Sequence, residues 1–214
     1  MAFRVFSCIR ILIFLGASFL FTTGALSNPI AEKQPQSTVE TFLAAVKSME
    51  FPVADDSGHA QRVSDANAYL DLETMGSKAL SDHWEELSPQ DRRTFLDLLW
   101  KLVETVAYPK NQNLVGGDEI VYGEIAEDEN GFQVPVSAKP KDDEPTASII
   151  YHLAEKDGGL KIDDVVLDDV SIIEDLKYQF DKIIAKSGFG GLLDKMRERL
   201  AKAEGKNETA KTAV

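Results

Sequence analysis

Three histidines, four Asp-Asp pairs and one glycine-rich segment are the places in this 214-residue sequence where chemistry could begin. His59, His83 and His152 lie far apart. None stands four residues from another histidine, the spacing by which a helix presents two zinc ligands on one face. His83, beside Trp84, reads instead as a ring packed at a helix end. The Asp-Asp pairs are Asp55-Asp56, Asp142-Asp143, Asp163-Asp164 and Asp168-Asp169. A glycosidase needs two carboxylates facing each other across a substrate, whereas neighbours in a strand point to opposite faces and loop acids are solvated. Asp128-Glu129-Asn130-Gly131 lacks the spaced ligands and closing Glu of a calcium loop, and Ser187-Gly188-Phe189-Gly190-Gly191 lacks the preceding strand of a phosphate loop. Both read as turns. There is no Gly-x-Ser-x-Gly elbow, and the one cysteine, Cys8, falls in a segment expected to be removed. The expectation is no catalytic residue, no metal and no cofactor. The informative residues are then the apolar ones.

Their spacing defines the elements. Ser37 with Glu40 forms a capping box ahead of Val39, Phe42, Leu43 and Val46 at helical spacing. Short helical pieces follow, carrying Val63, Leu70, Leu72, Met75 and Leu80. The longest helix starts with Ser88 as cap and Pro89 in the first turn, and Phe95, Leu98, Leu99, Leu102, Val103 and Val106 make one apolar stripe that Tyr108-Pro109 closes. Beyond it the period falls to two: 119–125, 132–138, 147–153 and 160–167 read as strands, with hairpin turns at 128–131 and 156–159. Another capping box, Ser171 with Glu174, opens a helix carrying Ile172, Leu176, Phe180, Ile183 and Ile184 up to Gly188, a C′ glycine. A second short helix carries Leu192, Leu193, Met196 and Leu200, and residues 201–214 are expected to be a disordered tail. The fold class is α+β: an antiparallel sheet of about four strands, covered by helices on one side.

The N-terminus reads as an export signal spanning 1–27. Arg4 and Arg10 precede an uncharged apolar stretch from Ile11 to Phe21, too short to span a bilayer, and small residues follow at Ala25 and Ser27. Cleavage after Ala25 or Ser27 leaves one domain, 28–200, and the tail. The whole chain has a net charge of −13; without Arg4 and Arg10 the exported form holds 21 basic and 36 acidic side chains, a net −15. Such a field repels nucleic acid and anionic membranes. The one dense basic supply, Lys186, Lys195, Arg197, Arg199 and Lys202, fits a solvated helix face or a docking spot.

Several blocks together resemble the MlaC, or toluene-tolerance, family of auxiliary proteins of ABC-type lipid transport. Tyr69-Leu70-Asp71-Leu72-Glu73-Thr74-Met75, His83-Trp84 and the stretch from Ser88 to Phe95 are similar to its F-D-F-x-x-M, H-W and T-P-E-Q-R-x-x-F motifs. Leu160 to Ser171 looks like its W-K-V-Y-D-V-V-V-E-G-V-S strand and turn; Gln179-Phe180 and Gly188-Phe189 match S-Q-F and G-F-D-x-L. Leu160 replaces the usual aromatic, and Asp175-Leu176 stands where Asn-Tyr is common. The resemblance implies a broadly NTF2-like fold with an apolar cavity between sheet and helices, holding phospholipid as cargo. The implied partners are an inner-membrane ABC transporter with a substrate-binding ring (MlaD-like) and an outer-membrane lipoprotein complex (MlaA-like). The implied task is shuttling lipid through a Gram-negative periplasm to maintain outer-membrane asymmetry. Mapped onto the apolar faces, the cavity is expected to be lined by Leu99, Val103 and Val106 of the long helix and by Val134, Val136, Ile149 and Tyr151 of the sheet. Ile172, Leu176 and Phe180 of the closing helix complete it. A dry-cored periplasmic scaffold or chaperone would share this periodicity, and a hopanoid or other lipid is an alternative cargo.

The export reading is tested by N-terminal sequencing of protein recovered from the periplasm, which should begin at or near Leu26 or Asn28. Intact Met1 in a membrane pellet would overturn it.

Overall fold

The computed structural model describes residues 34–53, 57–117, 119–140 and 145–212. The export signal and the acids Asp55, Asp56, Asp142 and Asp143 lie outside the described residues.

Six helices precede the sheet. Helix α1 (Gln34–Lys47) buries Val39, Phe42, Leu43 and Val46 along one stripe. It begins three residues before the expected cap: Pro35 suits a first turn, and Glu40 accepts from Gln36 at 2.7 Å. α2 (His59–Asn67) and α3 (Leu72–Leu80) follow, then the single turn α4 (Asp82–Glu86). α5 (Pro89–Leu102) is capped by Ser88, whose hydroxyl accepts from the Asp91 amide at 3.1 Å. Tyr108-Pro109 does not close this helix. The chain widens into a π-helical turn, Val103–Ala107, and continues as α6 (Tyr108–Val115). A proline inside a helix lacks an amide and crowds the carbonyl four residues back, and a widened turn ahead of it relieves both problems.

The sheet is antiparallel, and β2 flanks one end of its path β1-β3-β4-β5-β6. It has six strands rather than about four because two short strands join the four expected: β2, just past the expected strand 119–125, and β6, just past the expected strand 160–167. β1 (Ile120–Tyr122) pairs with one end of β3 (Gly131–Ala138), and β2 (Ala126–Asp128) with the other. The break faces Pro135, which has no amide to give an edge neighbour; only its carbonyl is used, by Gly123 N at 2.9 Å. β4 (Ala147–Lys156) and β5 (Gly159–Leu167) form the central hairpin, with Asp157 and Gly158 both at positive φ as a type I′ turn requires. The two-residue β6 (Val170–Ser171) adds the far edge.

Helix α7 (Ile172–Thr212) is two helices joined at Gly188, whose φ of 68° breaks the helix where a terminal glycine was expected. Ser171 caps it, accepting from the Glu174 amide at 3.1 Å. The expected disordered tail is corrected in part, since helix continues through Thr212. Ala201, Lys202, Ala203 and Glu204 are strong helix formers, and polar composition alone was a poor sign of disorder.

Buried apolar residues divide into two clusters. One joins α1 and α2 to the sheet through Phe42, Leu43, Val134 and Tyr151. The other lies among α3, α5 and α7 around Phe95, Leu98, Phe180 and Leu192. They are fastened at Tyr69–Asp71. Ile162 N donates to Tyr69 O at 2.8 Å, and Asp71 N donates to Ile162 O at 2.9 Å. The Asp71 carboxylate caps α3 through the Thr74 amide at 3.0 Å and pairs with the Lys156 ammonium at 2.7 Å. A second pair, Lys78 with Asp163 at 2.5 Å, ties α3 to β5.

Burial by itself would raise the Asp71 pKa, but Lys156 and Thr74 outweigh it and hold the carboxyl below its ordinary value of 3.8. This group therefore contributes stability that is complete above the unfolded value and is lost as pH falls through the lower folded one. Asp71→Asn keeps a capping side chain and removes the charge. It should cost about 1.5–3 kcal/mol at pH 7, the range of a hydrogen bond to a charged group. In urea titrations the gap between wild type and variant should narrow as pH drops below about 4.

Candidate functional site

Of the ten residues expected to line one cavity, eight are divided between the two clusters. Val134 opposes Tyr151 and Val136 opposes Ile149 across the β3–β4 ladder, and all four are buried in the sheet cluster. Leu99 and Phe180 are buried in the helical cluster, with Leu176 packed against it. Val103, at the start of the π turn, packs against both. Val106 is half-buried. Ile172 is misplaced: it is 38% exposed while its neighbour Ile173 is 4% exposed. The inward face of α7 runs through Ile173, Leu176 and Phe180, one residue out of phase with the expected start, because Ser171 caps the helix and sets its rotation.

One cleft formed by described residues lies elsewhere and contains none of the ten. Its volume is about 490 Å³, and it opens between α2, the π turn and residues 51–53. Its apolar wall includes Phe51, Val53 and Val63; its polar wall includes His59, Asn67 and Glu104. Phe51 and Val63 belong to the sheet cluster or pack on it, so the cleft floor is continuous with that cluster. The rings of Phe51 and His59 meet edge to face at 5.6 Å. Behind the polar wall, the Tyr108 hydroxyl donates to Asn67 Oδ1 at 2.5 Å, and Asn67 Nδ2 donates to Glu104 Oε1 at 3.1 Å. Burial, reinforced by the Glu104 charge, pushes the Tyr108 phenol well above its ordinary value, so it remains a neutral donor. Gly58, at φ 83°, turns into α2 where a Cβ would come within 3.1 Å of the Arg62 guanidinium. Deeper in, Tyr151 is likewise kept neutral by burial, with Asn111 as its side-chain partner.

Sequence reasoning missed Asn67, Glu104, Tyr108 and Asn111 because a single polar residue on a helix looks solvated. The available signal was Pro109 inside an apolar rod, which marks a local departure from α geometry. Of the acids singled out by adjacency, Asp163, Asp164 and Asp168 are described with structural partners. Asp163 pairs with Lys78, whereas Asp164 accepts from the Ser171 hydroxyl at 2.7 Å, so the two do not converge. They are strand anchors, not loop acids. Asp168 accepts from the Ser148 amide at 3.0 Å. His83 sits 3.3 Å from Asp181 on α7. No cluster of three or more metal-ligating side chains occurs among the described residues.

These features define an α+β protein with helices packed on an open antiparallel sheet and two apolar clusters meeting along one seam. The MlaC protein family model matches residues 36–198, and the chain belongs to that family. It is 22% identical over 194 residues to the intermembrane phospholipid transport system binding protein MlaC of Haemophilus influenzae, covering 88% of this chain and 90% of that protein. It also shares the fold of a phospholipid-binding protein from Ralstonia solanacearum solved in complex with a phospholipid. That match has a TM-score of 0.63 at 20% identity over 79% of this chain and 96% of the other.

Val136 and Ile149 are 2% and 1% exposed and directly opposed. Val136→Trp should overpack the sheet cluster and lower lipid-free stability by about 1–3 kcal/mol, read as a fall in the urea midpoint. An unchanged midpoint would mean that the facing surfaces leave room for an indole.

Proposed function

We propose that this protein is a periplasmic phospholipid carrier. It would take lipid between an outer-membrane lipoprotein complex and an inner-membrane ABC transporter with a substrate-binding ring, maintaining outer-membrane asymmetry without doing chemistry. The observation that carries the reading is the seam at Val103, where the sheet cluster and the helical cluster share one half-buried side chain within a chain of the MlaC family. Acyl chains entering there would meet aliphatic walls from both clusters. The relatives named for phospholipid binding and transport support the same cargo.

The physics explains why a carrier is needed. Each buried methylene is worth about 0.8 kcal/mol, so roughly thirty of them on a two-chain lipid would cost on the order of 20 kcal/mol to expose to water. A protein interior that solvates the chains removes that barrier and needs no nucleotide or metal of its own. No helix among the described residues is long and apolar enough to cross a membrane. In the C-terminal half of α7, Lys195 pairs with Glu198 at 2.6 Å and Arg197 with Asp194 at 2.8 Å. Two of the five basic residues of the stretch are thus paired on their own helix, which favours a solvated face over membrane docking.

Native mass spectrometry of protein purified without detergent should show the mass of the exported chain plus one phospholipid, and organic extraction should recover that lipid. Val103→Trp, which fills the seam, should lower lipid per chain several-fold. The bare polypeptide mass in the wild type would favour a dry-cored scaffold instead.

A further inference from the structure

Among the described residues four large hydrophobic side chains remain exposed, and two of them, Val170 at 57% and Ile172 at 38%, flank Ser171 at the junction of β6 and α7. Single apolar side chains scattered on a surface are ordinary; a pair that continues inward is not. Val170 pairs with Leu167 and shares its sheet face, and Leu167 packs on the sheet cluster. Ile172 lies one helical turn ahead of Leu176, which packs on the helical cluster. The two exposed side chains therefore lead to different clusters, and at this junction both clusters reach the surface together. The same helix, α7, packs on the π turn that carries Val103 as well as on β5 and β6, so it borders the junction and the seam alike.

The junction is fixed rather than frayed. Asp164 accepts from the Ser171 hydroxyl at 2.7 Å and from the Ile173 amide at 3.3 Å, which holds the backbone on either side of Ile172. Apolar surface held in water forgoes on the order of 25 cal/mol per Å² that burial would return. An acyl chain passing over it would recover that free energy. We propose that the β6–α7 junction is the mouth through which acyl chains enter and leave the seam. This deepens the carrier reading and rests on it. A tail leaving a bilayer would meet Val170 and Ile172 first, then Leu167 and Leu176, then Val103, with apolar contact at each stage. The cleft at α2 is the rival entrance, but there His59, Asn67 and Glu104 interrupt the apolar wall.

The exported chain would hold no cysteine, because Cys8 falls in the export signal, so single-cysteine variants take a thiol label at one place. Val170→Cys and Ile172→Cys put benzophenone maleimide at the junction. Tyr178→Cys puts it on the same helix at a side chain 67% exposed, and Ala60→Cys puts it at the cleft. Lipid-free protein is mixed with phosphatidylcholine vesicles, and bound lipid per chain is followed in time by mass spectrometry. The label on Val170→Cys or Ile172→Cys should slow uptake several-fold relative to the same protein unlabelled. Final occupancy should not change, because the label narrows a path without filling the seam. On Tyr178→Cys the label should alter neither. Unchanged uptake at both junction positions would overturn the mouth and leave Val170 and Ile172 as a surface for another protein. Uptake slowed more by the label on Ala60→Cys than on Ile172→Cys would overturn it in favour of the cleft. A lower final occupancy at an unchanged rate would overturn it too, by placing the junction in the resting site rather than on the path. Wild-type protein that takes no lipid from the vesicles would overturn the carrier reading itself.

Discussion

The carboxylate of Asp71 fastens the two halves of this protein together. It starts α3 by capping the Thr74 amide, and it holds Lys156 from the end of β4. Its own amide reaches Ile162 in β5. Three kinds of partner thus meet at one residue: a helix terminus, a side-chain cation and a strand edge. Without it the helical cluster would touch the sheet chiefly through apolar contact, which resists separation but does not fix register. Lys78 with Asp163 repeats the device a short distance along β5. Because the Lys156 and Lys78 ammonium groups remain partly exposed, these pairs avoid the full desolvation cost of a buried ion pair while still defining geometry.

The second constraint is the rod from Pro89 to Val115. An uninterrupted α-helix would rotate its apolar stripe steadily, whereas the π turn at Val103–Ala107 inserts a local offset. Before the turn, Phe95, Leu98 and Leu99 serve the helical cluster; after it, Tyr108 and Val115 serve the sheet cluster. The offset also brings Glu104 and Thr105 to the cleft while Val103 packs inward. One proline therefore connects core architecture to the polar wall of the cleft.

Much of this was legible in the sequence. Ser88 and Ser171 announced their helices because an N-cap is a local interaction, and the Lys156 to Gly159 turn did so because positive φ demands particular residues. The alternation in Val134, Val136, Ile149 and Tyr151 gave the correct buried face, since strand period is fixed by backbone geometry. Most of what failed depended on distant partners. The edge strand breaks because of a proline on its neighbour, Ile172 turns outward because of helix phase, and the one expected cavity face divides between two clusters. The polar chain Tyr108–Asn67–Glu104 joins α2 to residues some forty positions later, and no local pattern encodes it.

On the carrier reading, the division of the core has an energetic use. A permanently open aliphatic cavity would lack dispersion contacts on its walls and would hold lipid tightly enough to impede release. Two clusters that close on one another when the lipid leaves recover part of that loss. Binding then measures the difference between lipid–wall and wall–wall contact rather than the whole transfer free energy of the tails. The polar fasteners at Asp71 and Asp163 suit such closure, because they keep α3 attached to β5 while side chains along Val103 exchange partners. Affinity is thereby lowered without exposing the acyl chains to water, which is the condition a shuttle between two membranes must satisfy.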